Sequence, residues 1–397
     1  MTSLGDEIGD TAVTERTAPL RLLLVTGTRA DFGLWQPVIA EARRRPDSVA
    51  VKVLVGGMHL DDRFGSTVSE VRAAGVEIAA EVPFTPPGDS PAEMAASLGS
   101  ALEAMAPAIS RDSPDWILLL GDRGEQLAAA LAALHLSIPI AHLHGGERSL
   151  GAIDDTMRDM ISRTAHLHFV ANREACERLE RMGEASWRIQ VVGAPGLDGL
   201  AGQEPAGRSM RRRYGLPIEG DYLVVMQHPE TVGRPRALAD LEAVLRGVAR
   251  SGLPALAIGP NSDAGGRAML RRLQTPGGSR VTTRASVPRN HYVALLAGAT
   301  ALVGNSSSGL IEAPLLGVPT INVGDRQKGR TRGDNVIEVP ADADAVTEAI
   351  RRARQDGFRD SLSRTSPYGD GHAAPRIIDA LIAQPIDARL LVKEVGV

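Results

Sequence analysis

Short apolar runs alternate with amphipathic, helix-like stretches from Leu20 onward. The apolar runs, bounded by polar or Gly/Pro segments, predict buried strands, and the longer stretches with an apolar period near 3.6 predict helices between them. Such alternation is typical of parallel sheets covered by helices on both faces. In the first half we predict a helix at 34–45 and strands at 20–26, 49–55, 116–120, 138–142 and 167–170.

The pattern restarts after residue 190. The run from Ile189 breaks into a Gly/Pro turn before Asp198, and further strands are predicted at 222–226, 255–258, 301–303 and 320–323. A chain of 397 residues has room for two such units. We therefore predict an α/β protein with two doubly wound, Rossmann-like domains that face a cleft. The expected bounds are a disordered lead-in at 1–18, domains at 19–190 and 191–375, and a C-terminal helix and tail at 376–397 that could pack back on the first domain.

Composition narrows the class of function. Hydrophobic residues make up 43% of the chain but aromatic residues only 3%, so aliphatic side chains and alanine must fill the cores. A net charge of -4 gives no general attraction to nucleic acid or to an anionic membrane. The first eighteen or so residues are polar and acidic, unlike a signal peptide, and without a run of about 18 apolar residues we expect no membrane span. The single cysteine, Cys176, excludes an internal disulfide and fits a cytoplasmic location.

The segment from Gly304 to Glu312, with sequence GNSSSGLIE, is the most informative in the chain. It follows a predicted strand and opens a helix-like stretch, so backbone amides near Ser306 and Ser307 could hold an anion such as a phosphate. Glu312 lies far enough along to reach a neutral diol such as a ribose. The alternative is a serine-rich helix cap followed by a solvated glutamate.

A second strand and a polar loop follow this segment. The loop brings three cations, and Arg326, Lys328 and Arg330 could neutralise a diphosphate from the side opposite the helix. This combination favours a nucleotide diphosphate site over a simple helix cap.

The first strand ends in Gly27-Thr28-Arg29-Ala30-Asp31-Phe32-Gly33. Arg29 is expected on a loop at the top of the sheet, where it could bind a phosphate or stabilise a leaving diphosphate; the alternative is a pair with Asp31. Gly27 and Gly33 lack the middle glycine of a dinucleotide-binding fingerprint, which argues against a nicotinamide cofactor.

Acidic and imidazole side chains cluster after two later strands. Asp122 ends the apolar strand at 116–120, where partial desolvation could raise its basicity, or where it could cap the next helix. His144, Glu147 and Asp154 follow the strand at 138–142, beside the paired glycines Gly145-Gly146. Such crowding suits general acid and base catalysis.

A metal site is the competing interpretation of this region. His142 and His144 form a His-x-His pair that recurs at His166 and His168, but no cysteine cluster or His-Glu-x-x-His helix accompanies them. The second pair is expected to be partly structural, buried on a strand. In the second half, His228 precedes a proline at a strand end and should face the cleft, although a surface histidine is the alternative.

The ordered set of motifs resembles the hydrolysing UDP-N-acetylglucosamine 2-epimerases of sialic acid biosynthesis, over residues from about 20 to 381. The motifs that carry the resemblance are Gly27-Thr28-Arg29-Ala30-Asp31, Gly121-Asp122-Arg123, His142-x-x-Gly145-Gly146-Glu147, Gly151-Ala152-Ile153-Asp154-Asp155, Gln227-His228-Pro229, Gly304-Asn305-Ser306-Ser307 and Tyr368-Gly369-Asp370-Gly371.

The resemblance implies a two-domain fold similar to that of GT-B glycosyltransferases, with the nucleotide held mainly by the C-terminal domain. It also implies removal of the C2 proton of the sugar, expulsion of UDP to give a glycal, and hydration to free N-acetylmannosamine. From the motifs above we expect no cofactor and no metal. We expect a homodimer or homotetramer whose ligand is a nucleotide sugar. The resemblance implies acid, base and sugar-contacting roles for Asp122, Glu147, Asp154 and His228, and His144 is a further catalytic candidate. The candidate nucleotide-binding residues are Arg29, Arg123, Ser306, Ser307, Glu312, Arg326 and Arg330.

One position departs from the pattern. His144 stands where members of the family often carry a carboxylate, which an imidazole could replace as a proton carrier near neutral pH. Three alternatives therefore stay open: a GDP-linked or modified amino sugar as substrate, a GT-B glycosyltransferase that transfers the sugar to an acceptor, and a nucleotide-sugar sensor without turnover.

Overall fold

A computed structural model describes residues 18–86, 88, 90–148, 153–230, 236–260, 265–275 and 280–393. Residues 1–17 of the expected lead-in lie outside this range. Within it, the chain forms two lobes, each built on a parallel sheet. No helix in the described ranges is both long and apolar enough to cross a membrane.

The sheet of the first lobe has the strand order β3-β2-β1-β4-β5-β6-β7, and that of the second lobe has the order β10-β9-β8-β11-β12-β13. In both, the order reverses beside the first strand of the lobe, which is the doubly wound arrangement. The strands are β1 (Leu20–Thr26), β2 (Val49–Gly56), β3 (Glu77–Val82), β4 (Trp116–Leu120), β5 (Ile140–Leu143), β6 (Leu167–Val170), β7 (Ile189–Val191), β8 (Leu223–Met226), β9 (Ala255–Ile258), β10 (Val281–Arg284), β11 (Ala301–Gly304), β12 (Thr320–Val323) and β13 (Val336–Val339).

Helices cover both faces of each sheet. They are α1 (Arg29–Arg43), α2 (Val68–Ala73), α3 (Pro91–Asp112), α4 (Gly124–His135), α5 (Asp154–Thr164), α6 (Arg173–Arg181), α7 (Arg208–Arg213), α8 (Ala237–Ser251), α9 (Gly266–Gln274), α10 (Arg289–Ala297), α11 (Ser308–Leu315), α12 (Ala343–Ala353), α13 (Ala373–Ala383) and α14 (Ala388–Leu391).

Strand β1 shows why the apolar runs are continuous. Its residues are buried on both faces of the sheet: Leu22 and Leu24 pack into one core, and Leu23 and Val25 pack into the other. A parallel strand covered on both sides has no solvated face, so it needs no polar alternation. The predicted fold class, two Rossmann-like lobes of GT-B type, is confirmed.

Three strands were not predicted from the sequence: β3, β10 and β13. Each lies at an edge of its sheet, where one side of the strand has no neighbouring strand and the side chains are half-buried. Charged residues such as Glu77 and Arg284 are tolerated there, so no apolar run marks these strands. The first helix also begins earlier than predicted, at Arg29 rather than at residue 34.

The chain crosses between the lobes twice, and the two crossings touch. The N–H of Ala194 donates to the carbonyl of Tyr368 at 2.7 Å, and Cα of Gly193 packs against Gly369 so closely that a side chain at Gly369 would meet it at 2.8 Å. The first sheet ends at Val191, one residue past the expected boundary at 190. After the second crossing, α13 packs against α1, and its Ile377 joins the core of the first lobe.

Candidate active site

Ligands of doubly wound sheets bind at the carboxyl ends of the strands where the strand order reverses. In the first lobe this point lies between β1 and β4, followed by residues 27–31 and 121–124; in the second it lies between β8 and β11, followed by residues 227–230 and 304–307. Four of the motifs found in the sequence therefore occupy the two switch points. Ion pairs and hydrogen bonds described below join these two edges across the cleft.

The segment after β11 is shaped by Gly304, whose φ of 135° is in a region that favours glycine. A Cβ at this position would overlap the carbonyl oxygen of Met226 on β8. Helix α11 then begins at Ser308 with Ser307 in the N-cap position, but the Ser307 side chain makes no capping hydrogen bond. Oγ of Ser306 instead accepts from the N–H of Ser308 at 3.4 Å, so the serine-rich segment caps the helix in part, through Ser306 and not through Ser307.

Asn305 joins the two strand ends of this switch point. Its fully buried side chain accepts a hydrogen bond of 2.7 Å from the N–H of His228 and donates one of 3.0 Å to the carbonyl of His228. This double contact fixes the backbone that carries the imidazole. Burial, with Arg326 and Arg123 nearby, lowers the pKa of His228 to about 3, so the ring is neutral at pH 7.

The loop after β12 is tied to the same segment. Gln327 donates from Nε2 to the carbonyl of Asn305 at 2.8 Å, and the guanidinium of Arg326 lies at 3.5 Å from that oxygen. Lys328 is an exposed side chain 3.8 Å from Asp325. Arg326 therefore lies beside the Ser306–Ser307 segment.

Glu312 is buried on α11 and accepts a hydrogen bond of 2.9 Å from Arg289. Arg289 also donates to the carbonyl of Gly196 in the connection between the lobes. The carboxylate of Glu312 thus has one oxygen held by a cation and lies within the lobe interface, rather than being solvated. Sequence reasoning missed Arg289, since nothing in its own segment marks it.

We expected Arg29 on a loop, but it is the first residue of α1. Thr28 caps the helix by accepting from the N–H of Asp31 at 3.2 Å. The Arg29 guanidinium pairs with Glu70 and donates to Ser286 of the second lobe. The alternative pair of Arg29 with Asp31 is not the arrangement found.

Asp31 and Glu125 are both buried below the β1–β4 switch point. Arg123 lies at the same point and donates to Glu125 at 2.8 Å. Burial raises the pKa of Asp31 to about 6, with Arg123 opposing and Glu125 reinforcing the shift. The sequence offered no signal for Glu125, whose carboxylate packs where a side chain at Gly27 would lie.

Asp122 does not cap α4, whose N-cap residue is Arg123. Its carboxylate instead pairs with Arg158 of α5. Arg158 also donates to the carbonyl of Glu147 at 2.8 Å and lies 3.3 Å from Asp155. Burial, together with the charges of Arg330 and Arg178, lowers the pKa of Arg158 to about 9. Arg158 thus ties Asp122 to Glu147, although sequence reasoning did not single it out.

His144 follows β5 with a φ of 62°, in the left-handed region. Its Nδ1 and Oε1 of Glu147 are 2.6 Å apart. The other oxygen of Glu147 pairs with Arg330 of the second lobe, and all three residues are less than 10% exposed. Burial alone would raise the pKa of Glu147, but Arg330 and His144 together lower it below its usual value. Glu147 is therefore an ionised carboxylate between an imidazole and a guanidinium.

The paired glycines serve the protein's own packing rather than leaving room for a ligand. A Cβ at Gly146 would overlap the carbonyl of Ala175, and a Cβ at Gly145 would meet both His142 and Ser162 at 2.9 Å. Asp154 begins α5, but its side chain lies outside the described part of the structure.

The second histidine pair is buried and hydrogen-bonded in the sheet. His168 lies 3.1 Å from Glu184, and His166 accepts from the N–H of Ile140 at 3.0 Å. Among the residues that the structure describes, no three histidine, cysteine, aspartate or glutamate side chains are grouped so as to hold a metal ion.

The sequence profile of the family described as UDP-N-acetylglucosamine 2-epimerase matches residues 41–382. The chain belongs to this family.

Among the related sequences, the chain is 36% identical over 375 residues to the UDP-N,N'-diacetylbacillosamine 2-epimerase (hydrolyzing) of Legionella pneumophila, covering 94% of this chain and 98% of that protein. It is 33% identical to a UDP-N-acetylglucosamine 2-epimerase of Neisseria meningitidis, covering 87% and 92% of the two chains. Both relatives thus match over nearly their whole length.

Solved structures of UDP-GlcNAc 2-epimerases have the same fold as this chain. A Neisseria meningitidis UDP-GlcNAc 2-epimerase bound to UDP-GlcNAc superimposes with a TM-score of 0.76 at 16% identity, covering 92% of this chain and all of the other (100%). The Methanocaldococcus jannaschii UDP-GlcNAc 2-epimerase in complex with UDP-GlcNAc and UDP superimposes with a TM-score of 0.72 at 17% identity, covering 91% of this chain and 99% of the other. These epimerase structures share the two-lobed fold of this family member.

Proposed function

We propose that this protein is a hydrolysing 2-epimerase that converts a UDP-linked 2-acetamido sugar and water into UDP and the free C2-epimeric sugar. The observation that supports this most directly is the ion pair between Arg330 and Glu147. It joins the sheet edge that is proposed to hold the diphosphate, in the second lobe, to the acid/base cluster of the first lobe. A ligand with an anionic tail and a reacting ring would contact the same two edges.

The proposed chemistry balances without an oxidant or reductant. A base takes the proton from C2, the C2–H electron pair forms the C1=C2 double bond of a glycal, and the C1–O electron pair leaves with the β-phosphate of UDP. Water then adds its hydroxyl to C1, and a proton returns to C2 on the opposite face. The reaction needs no redox cofactor, because no net oxidation occurs.

The leaving diphosphate requires positive charge and N–H donors at its oxygens. We assign this role to the edge of the second lobe, where Ser306 and Ser307 open α11 beside Arg326, and to Arg29 and Arg123 from the first lobe. Glu312 is assigned to the ribose hydroxyls. Asp122, His144, Glu147, Asp154 and His228 are assigned to the reacting ring.

The sugar is proposed to be UDP-N-acetylglucosamine, which would give N-acetylmannosamine, or a modified relative. The names of the two relatives support UDP as the nucleotide and a 2-acetamido group at C2. The Legionella name adds an N,N'-diacetylated sugar to the candidates, and a Campylobacter jejuni relative, 28% identical, is named for both GDP- and UDP-linked forms.

Incubation with a panel of UDP- and GDP-linked amino sugars in deuterated water tests the proposal. Proton NMR should detect free sugar that carries deuterium at C2, together with free nucleotide. A glycosyltransferase would release no free sugar without an acceptor. A sensor would gain thermal stability from UDP with no exchange at C2. Either of these results would contradict the proposed reaction.

A further inference from the structure

His144, Glu147 and Arg330 form a connected set, and the proposed function places the first two at the reacting ring without dividing the acid and base work between them. Nδ1 of His144 and Oε1 of Glu147 lie 2.6 Å apart, and a carboxylate can only accept, so Nδ1 carries the proton. In the neutral ring Nε2 is then unprotonated. Nε2 of His144 is buried, and no hydrogen-bond partner for it exists among the described residues.

A buried acceptor without a partner is costly, and native proteins usually provide one. Nε2 of His144 is thus a buried acceptor that a ligand atom could satisfy. The ring follows β5, at the same sheet edge as Asp122, and Arg158 connects Asp122 to the carbonyl of Glu147. The unpartnered nitrogen thus belongs to the edge at which the sugar is proposed to lie.

Arg330 reaches this set from the other lobe, 183 positions away along the chain. Its guanidinium lies 5.5 Å from the ring centre of Tyr368 and donates to Gln327 at 3.2 Å. Gln327 in turn donates to Asn305 of the anion-binding segment. Arg330 is therefore held by two neighbours, Tyr368 and Gln327, in a position from which it pairs with Glu147.

We propose that Nε2 of His144 is the base that takes the C2 proton, and that Glu147 and Arg330 are positioning residues that orient the imidazole. The inference rests on the proposed function. The C2 proton passes to Nε2, the imidazolium keeps its contact with the Glu147 carboxylate, and the C1–O bond breaks toward UDP. Arg330 comes from the second lobe, so the base is fully oriented only while the lobes are together.

The first test removes and restores the base. His144→Gly suits the φ of 62° and leaves a ring-sized space. Turnover and C2 deuterium incorporation should fall by about 10³-fold and recover at least about tenfold with added imidazole. His144→Asn also tolerates this backbone and should be equally inactive but not rescued. A folded His144→Gly enzyme that keeps its turnover, or that imidazole cannot rescue, overturns the assignment.

The second test separates positioning from nucleotide binding. Arg330→Met should lower kcat by about 10- to 100-fold, with the Kd for UDP, measured by calorimetry, changed less than about twofold. Arg330→Lys should recover part of kcat. Arg351→Met removes an exposed cation of α12, away from this loop, and should change neither quantity. A raised Kd for UDP with unchanged kcat at saturation would place Arg330 on the nucleotide and refute its role here.

Glu147→Gln provides a third readout. Without the negative charge, the protonated imidazole is less favoured, so the acidic limb of the kcat profile should move to lower pH while kcat falls. An unmoved limb contradicts the coupling of Glu147 to the base. If the wild-type protein neither releases UDP nor exchanges the C2 proton, the proposed function itself fails and this inference falls with it; wild-type turnover with the contrary variant results refutes the inference alone.

Discussion

Nε2 of His142 donates a hydrogen bond of 2.7 Å to the carbonyl oxygen of Gly121, the residue before Asp122. Burial lowers the pKa of His142 to about 3, so the ring is neutral, and its Nδ1 accepts from the hydroxyl of Ser162 at 3.0 Å. These two contacts fix the tautomer of His142. They also hold the peptide group between Gly121 and Asp122 in place.

His142→Phe removes this donor while filling the space. We expect kcat for UDP release to fall by about 10- to 100-fold with little change in KM, because small displacements of a reacting group are costly. His142→Gln, which can still donate to Gly121, should lose less. Steady-state kinetics on folded variants checks this, and a His142→Phe enzyme with wild-type kcat would show that the contact does not position Asp122.

Glu312→Gln tests the assignment to the ribose. Hydrogen bonds to a charged acceptor contribute about 1.5–3 kcal/mol, so the Kd for UDP should rise at least about tenfold. For a deoxy-UDP that lacks the contacted hydroxyl, wild type and variant should bind alike. Glu348→Gln, at an exposed glutamate of α12, is the control. Equal losses for UDP, 2′-deoxy-UDP and 3′-deoxy-UDP would indicate that Glu312 acts through Arg289 instead.

Gly304→Ala tests the close contact at the end of β11. The new Cβ would overlap the carbonyl of Met226, and the backbone has a φ of 135°. We expect the free energy of unfolding to fall by about 2–4 kcal/mol, with weaker UDP binding. Gly99→Ala, in α3 with open space around it, should instead be neutral or add up to about 1 kcal/mol. Urea unfolding of both variants decides the matter.

Because several histidines are buried, we expect the stability of the fold to decrease in acid. Burial, reinforced by Arg188, lowers the pKa of His166 to about 4, against about 6.5 in an unfolded chain. Between these two pH values His166 binds more protons in the unfolded chain than in the folded one, so the free energy of unfolding falls as the pH drops. Above about pH 6.5 the ring is mostly neutral in both states and this loss is absent.

His166 should account for about 2 kcal/mol of the loss between pH 7 and pH 5. Urea unfolding at both pH values should show a smaller loss, by about that amount, in His166→Gln. The exposed His372 serves as the control position. An unchanged pH dependence in His166→Gln would mean that this histidine takes up its proton equally readily in the folded and the unfolded chain.

The sequence located the loops of the site better than it described their interactions. Strand ends followed by Asp122, His228 and Ser306 were predictable, because an apolar run that stops at a polar motif is a local signal. Arg158, Arg289 and Glu125 were missed, because each lies within a helix, where charged residues are ordinary.

The alternation of apolar runs and amphipathic stretches was enough to determine the fold class, since burial on both faces leaves its pattern within a few residues of each strand. Which side chains meet was decided only by the tertiary structure. Arg330 reaches Glu147 across 183 positions because strand order and the contact between lobes bring those two loops together. No local pattern encodes that distance, so the partner of each charged group could be known only from the folded chain.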